Sequence, residues 1–249
     1  MTCAILLAAG SGRRLGVSHP KCLLRFAERT LLERHLEALA RACIGRVVIV
    51  TGYERAQLED ALAGANPRPA LLFNPEFARG SVVSLWRARA WLRAGDDVVL
   101  MDADVLYDPT LLEKLVAQTG SALLVDRDYD ERDPESVKVC CADGRIVEFR
   151  KQPAAGLRFD DAGESVGFFR LAAEQALALA RRVEAYVGAG RLDEPYEEPL
   201  RDVMLENPDA FAVCDATGSA WIEIDVPTDV QRAREQVLPR VRAVEGRRR

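Results

Sequence analysis

The chain opens on a single short apolar run, Cys3 to Ala9, which stops at Gly10-Ser11-Gly12. A continuous Leu- and Ile-rich run of this length reads as a buried strand of a parallel sheet. Gly10-Ser11-Gly12 cannot prolong it. Glycines there permit positive φ and bring backbone N–H groups close to a ligand, and a run of such amides makes an anion nest. Arg13, Arg14 and Lys21 add three positive charges beside it. The combination suits a polyphosphate. Two familiar phosphate loops are excluded. No Gly-Lys-Ser/Thr follows, so this is not a Walker A loop, and the third glycine of a dinucleotide fingerprint would fall on Leu15.

Beyond the loop, Thr30 with Glu33 three residues on is a capping box that starts a helix. Its apolar face is Leu32, Leu36, Leu39 and Cys43, with His35 at the edge of that face. Arg46–Gly52 is a second buried strand, Tyr53–Ala63 a helix and Pro69–Phe73 a short strand. Ser81 reads as the cap of a further helix, and Asp97–Asp104 as a strand with its end. Strands and helices alternating in this way imply a parallel sheet covered on both faces, with ligands outside the carboxyl ends of the strands. The glycine loop, Gly52 and Asp102-Ala-Asp104 all belong to such ends. In the second half, Ser136–Cys141 and Arg145–Lys151 read as a hairpin across an Asp-Gly turn. Gly163–Leu171, Phe211–Cys214 and Trp221–Ile224 are strands. No repeat or linker interrupts the pattern. The expected fold is α/β and Rossmann-like, one domain over residues 1–245 with a basic tail at 246–249.

Two acidic pairs stand out. Asp102 and Asp104 are two apart at a strand end, so both carboxylates can face one cation. Glu223 and Asp225 repeat the spacing near the C-terminus. Oxygen ligands with no Cys or His beside them suit Mg²⁺ held against phosphates.

Leu-Ala-Ala-Gly-x-Gly-x-Arg-Leu over Leu7–Leu15, followed by Pro20-Lys21, resembles the signature of the nucleotidyltransferases that make nucleoside-diphosphate sugars and CDP-alcohols. Val50-Thr-Gly-Tyr53, Asn74-Pro, Gly80-Ser-x-x-Ser84-Leu-Trp86, Gly163-Glu-Ser-x-Gly167 and the closing Glu-Ile-Asp resemble the phosphocholine cytidylyltransferase-like branch over essentially the whole chain. The resemblance implies transfer of CMP from CTP to a small phosphorylated alcohol or phosphonate, with pyrophosphate released. It implies that Leu7, Ala8, Ala9, Gly10, Ser11, Gly12 and Arg13 bind the nucleotide, with Ala8, Ala9, Gly52 and Ser81 around base and ribose and Asp102 near the ribose or the metal. Arg14 and Lys21 then act on the phosphates, and Asp104, Glu223 and Asp225 ligate Mg²⁺. Lys151, Glu164, Tyr196 and Glu198 fall on the acceptor side, with Lys151 matching a lysine that binds the acceptor phosphate. Leu200 and Arg201 stand where choline-type members carry adjacent aromatics, so an amino or hydroxyl head group met by Glu197, Glu198 or Asp202 is an equal alternative to choline. Tyr107, Tyr129, Tyr196, Phe168 and Trp221 are the aromatic candidates for a choline cage. A sugar-1-phosphate enzyme using UTP or dTTP and a molybdopterin-type transferase share the opening motif and stay open.

The net charge of −5 becomes −8 without the three terminal arginines, which argues against nucleic acid as the main partner. The opening apolar run lacks a charged leader and is too short to span a membrane. Six cysteines without a C-x-x-C pair read as reduced core residues. We therefore expect a cytoplasmic protein with CTP and a small phosphorylated substrate as partners, no membrane insertion, and a homodimer left open.

Overall fold

The computed structural model describes residues 1–246, and the three arginines of the expected tail lie outside the described residues. Gly246 belongs to the last helix rather than to a tail. In chain order the first half is β1 (Thr2–Ala8), β2 (Arg25–Phe26), β3 (Arg29–Thr30), α1 (Leu31–Arg41), β4 (Arg46–Thr51), α2 (Arg55–Ala61) and β5 (Ala70–Phe73), then α3 (Ser81–Arg87), α4 (Arg89–Leu92) and β6 (Asp97–Asp102). The second half is β7 (Val105–Tyr107), α5 (Thr110–Val116), β8 (Ser121–Asp126), β9 (Lys138–Ala142), β10 (Arg145–Arg150) and β11 (Asp161–Leu171), then α6 (Ala173–Gly188), α7 (Glu197–Glu206), β12 (Phe211–Asp215), β13 (Trp221–Glu223), α8 (Pro227–Arg232) and α9 (Leu238–Gly246).

Among the described residues the main sheet has nine strands. Its spine runs β10-β9-β11-β6-β1-β4-β5, with β8 against β11 and β12 against β8. β6, β1, β4 and β5 are parallel, so Ala8, Thr51 and Asp102 end on one edge. β11 runs antiparallel to β6, β8 and β9 and brings its middle back to that edge. The apolar continuity of β1 follows from burial on both faces. Cys3 and Ile5 enter one core with α3, α6 and α7, while Ala4 and Leu6 enter the opposite core with α1 and α5. Burying each aliphatic side chain contributes about 1.5–3 kcal/mol, which is why no polar residue interrupts the strand.

Local signals are realised closely. Thr30 Oγ1 accepts from the Glu33 N–H at 3.0 Å and the Glu33 carboxylate accepts from the Thr30 N–H at 2.6 Å, completing the capping box. Asp143 and Gly144 both take positive φ in the β9–β10 turn, as a tight hairpin requires. Three expectations fail for tertiary reasons. His35 is fully buried, because the β7 segment and β11 close over α1 with Tyr107 and Phe168. Cys43 is exposed and lies past the end of α1 at φ +59°, so it leaves the helix face. Gly80, not Ser81, precedes the first turn of α3. Ser81 instead accepts a hydrogen bond from the Tyr196 N–H at 2.8 Å. The remaining cysteines are buried thiols. No helix among the described residues is long and apolar enough to cross a membrane.

Candidate active site

The loop after β1 is tied to its neighbours by the main chain. Ala9 O accepts from Tyr53 N–H at 3.1 Å, and Leu7 O accepts from Ala103 N–H at 3.2 Å. Gly52 sits so close to Ala9 and Phe77 that a Cβ would lie 2.4 Å from Phe77 Cβ and 2.6 Å from Ala9 O. Any side chain there would push the loop off β4. Gly12 adopts φ +57°, and a Cβ there would lie 3.2 Å from Lys21 Cγ. Leu7, Ala8 and Gly10 line one recess with Lys21, Cys22 and Asp104. Leu7, Ala9, Gly10, Ser81, Asp102 and Asp104 share a wider cleft with Tyr196, Glu197 and Glu223. Ser11 is half-buried on the loop, and Arg13 is exposed to solvent.

Lys21 is the centre of the charge arrangement. Its Nζ donates to Asp104 Oδ2 at 2.8 Å and to Asp225 Oδ1 at 2.5 Å. Burial works against its charge, but the two carboxylates overcome that and hold its pKa above the ordinary lysine value. Arg14 Nη2 reaches Asp225 Oδ2 at 2.9 Å and Arg14 Nη1 reaches Glu135 Oε2 at 3.2 Å. Lys151 Nζ meets the same Glu135 oxygen at 2.9 Å. An ion-pair chain, Lys21–Asp225–Arg14–Glu135–Lys151, therefore links the glycine loop to the far wall. Burial would raise the Asp225 pKa, but Lys21 and Arg14 keep it below the carboxylate range.

The second acidic pair arrives through the β7–β13 ribbon, where Glu223 stands opposite Val105 and Ile224 N–H donates to Asp104 O at 3.1 Å. Asp229 accepts from the Asp225 and Val226 N–H groups at 2.9 Å, fixing the turn into α8. Carboxylate oxygens of Asp104, Glu223 and Asp225 come within 4.8 Å of one another. Asp102 is not in that group. β6 ends at Asp102, so the period of two that would align it with Asp104 is lost in the turn. Its Oδ2 instead accepts from the Tyr196 hydroxyl at 2.6 Å. Burial, Asp104 and Glu197 push the Asp102 carboxyl well above its usual range, and the Tyr196 bond pulls the other way. Cys22, at the back of the recess, is pushed up to about 12 by burial and by Asp104.

β11 supplies the far wall. Gly167 takes φ +79°, and a Cβ there would lie 2.4 Å from Asp102 Oδ2. Gly167→Ala is expected to cost about 1–2 kcal/mol from the left-handed backbone alone, and to displace Asp102 as well. A urea melt checks the first effect; unchanged stability would contradict it.

Behind the triad lies a cavity of about 420 Å³ including its mouth. Lys151, Glu164 and Tyr196 line it as expected. So do Glu135, Phe149 and Phe169, which the sequence did not single out, and Glu197, one of the three head-group candidates. Glu198 does not line it. Successive helical residues point about 100° apart, so in the first turn of α7 Glu197 faces the cavity while Glu198 turns to β10. There it accepts from Arg150 at 2.9 and 2.5 Å. Asp202 accepts from the Tyr186 hydroxyl at 2.8 Å and Arg201 pairs with Glu148, and neither lines the cavity. Tyr107 and Phe168 pack on His35, and Trp221 donates to Asp126 at 2.7 Å. Tyr129 interacts with Glu164 but does not line the cavity, so of the five cage candidates Tyr196 alone lines it. Glu135 carried no signal beyond its place in an acidic loop. Phe149 and Phe169 could have been found as inward residues of their strands.

Known proteins resemble this chain in sequence and in fold. The chain is 30% identical over 239 residues to the "Bifunctional IPC transferase and DIPP synthase" of Rubrobacter xylanophilus, covering 94% of this chain and 52% of that protein. It is 29% identical over 245 residues to the "CMP-5'-(3-aminopropyl)phosphonate synthase" of Streptomyces rubellomurinus, covering 92% of this chain and 38% of that protein. The chain thus spans about half or less of the length of these two relatives. The inositol-1-phosphate CTP transferase structure from T. maritima superposes with a TM-score of 0.77 at 21% identity, over 96% of this chain and 95% of that one. That likeness establishes the shared mostly parallel α/β fold. Residues 4–199 match the MobA-like NTP transferase domain, and the chain belongs to that family.

Proposed function

We propose that the protein transfers CMP from CTP to a small phosphorylated alcohol or phosphonate and releases pyrophosphate. One observation carries most of the reading: Lys21 lies between Asp104 and Asp225 at the foot of the glycine loop, with the cavity of Lys151 directly behind. A phosphate monoester has a second pKa near ~6 and is mostly dianionic at neutral pH. Its oxygen can attack the α-phosphorus without a general base, while the bond to the bridging oxygen of pyrophosphate breaks. Lys21 is placed to neutralise the α-phosphate oxygens and Arg14 the leaving pyrophosphate. Lys151 is placed to hold the attacking phosphate. Catalysis then comes from positioning and fixed charge.

The chemistry of the donor set supports a hard divalent cation. Asp104, Glu223 and Asp225 offer only carboxylate oxygens. These three residues would hold Mg²⁺, which supplies Lewis-acid charge at the phosphates when bound.

The test is pyrophosphate release with Mg²⁺ across CTP, UTP, ATP, GTP and dTTP. Acceptors are phosphocholine, phosphoethanolamine, aminoethylphosphonate, glycerol phosphate, inositol phosphate and glucose-1-phosphate. Turnover confined to CTP with a non-sugar acceptor is the expected result, and Asp104→Ala should lower it by about 10²-fold or more. Turnover with UTP or dTTP and glucose-1-phosphate would replace this reading with the sugar-1-phosphate one.

A further inference from the structure

The cavity behind the triad is unusually acidic for a site that must admit a phosphate. Six carboxylates line it, from Asp102, Glu135, Glu164, Glu197, Glu223 and Asp225, against one lysine, Lys151. Four have occupations already described. Asp102 is held by Tyr196, Glu135 by Lys151 and Arg14, Asp225 by Lys21 and Arg14, and Glu223 belongs to the triad. Glu164 and Glu197 remain, and neither forms an ion pair among the described residues.

Their surroundings make that costly. Glu197 Oε2 is enclosed and accepts no hydrogen bond, although the residue as a whole is only half-buried. Glu164 stands in β11, where burial pushes it up to about 7 against a hydrogen bond from Ser136, with Asp133 and Asp126 adding to the rise. Lys138 is the cation on that side, but its ammonium is turned to the carbonyls of Asp133, Ser136 and Lys151 at 3.0–3.4 Å. A dianionic phosphate entering such a cavity meets net repulsion unless the rest of the molecule brings positive charge. A neutral head group would leave both carboxylates without a counter-charge in a confined space.

We propose that the acceptor is a zwitterion, an aminoalkyl phosphate or phosphonate whose phosphoryl group meets Lys151 and whose ammonium is received by Glu164 and Glu197. This rests on the cytidylyl-transfer reading and narrows its acceptor. An ammonium supplies three donors on a compact charge, matching two carboxylates that form no ion pair, one of them with the unpartnered oxygen Glu197 Oε2. Phe149, Phe169 and Tyr196 give the alkyl chain an apolar wall. A trimethylated head has no N–H donor to offer the enclosed Glu197 Oε2.

Calorimetry separates this from the parent reading. The probes are 2-aminoethylphosphonate and its isostere propylphosphonate, titrated into the full chain with CTP turnover followed in parallel. The amine is expected to bind about 10–100-fold tighter, the range of a charge-assisted hydrogen bond. Glu164→Gln and Glu197→Gln should each shrink that ratio, and the wild-type comparison stands even if a variant folds poorly. Equal binding of the two probes, or no binding of the amine, overturns the proposal. If CMP transfer to a neutral phosphate proceeds nonetheless, the cytidylyl-transfer reading survives alone. If the amine preference holds but no nucleotide is used, the transfer reading fails and the recognition stands.

Discussion

Lys21→Met is expected to lower kcat/KM by about 10²–10³-fold, the usual cost of removing one preorganised charge from a transition state. The geometry adds a second, independent expectation. Lys21 is the counter-ion that Asp104 and Asp225 share, and Glu223 stands beside them. Burial, Asp104, Asp102 and Asp225 already hold the Glu223 carboxyl well above its usual range, opposed by Lys21. Without the ammonium the three carboxylates repel one another, with Arg14 on Asp225 as the remaining counter-charge, and a divalent cation gains more by joining them. Thermal melts should therefore show a larger Mg²⁺-induced rise in Tm for Lys21→Met than for wild type, since in wild type the cation competes with the lysine. A variant within ten-fold of wild-type activity would remove Lys21 from the chemistry. An unchanged response to Mg²⁺ would remove the three carboxylates as its site.

A loss of stability of about 3 kcal/mol is expected from His35 alone as the pH falls from 6.5 to 4. The imidazole is fully buried between Tyr107 and Phe168, with ring centroids at 5.2 and 5.9 Å, and neither nitrogen makes a well-formed hydrogen bond. Burial pushes its pKa from 6.5 down to about 4, with the Ala103 backbone pulling slightly the other way. The unfolded chain thus takes up a proton near 6.5 that the folded chain refuses until about 4. Stability from this group is complete above 6.5 and drains away through that window. Urea melts at pH 7.5 and 4.5 on wild type and His35→Leu measure it. The variant pays a packing cost at both values but should lose about 3 kcal/mol less between them. Equal losses would mean that His35 titrates normally in the folded state.

His35 also marks a limit of local sequence reading. Helical spacing placed it at the edge of the α1 stripe, which is correct for an isolated helix. Its burial depends on β11 and the chain after β6 closing over that edge, and those residues are 70 to 130 positions away. The same division runs through the site. β1, the glycine loop, the Thr30–Glu33 capping box and the Asp143-Gly144 turn were legible because each is settled by neighbours within a few residues. Apolar continuity, positive φ and side-chain capping are local matters, and they determined the element order and the parallel alternation of the first half. The acidic pairs were legible as chemistry but not as geometry. Asp102 parts from Asp104 because β6 ends between them, and Asp225 joins Asp104 because Ile224 pairs with its carbonyl. Glu197 replaces Glu198 because the angle of α7 against β10 chooses which carboxylate faces the cavity. The sequence by itself determined which residues could bind phosphate and cation. Only the tertiary structure decided which of them meet, because contacts between segments far apart in the chain are set by packing and strand register, and these leave no periodic trace in either segment alone.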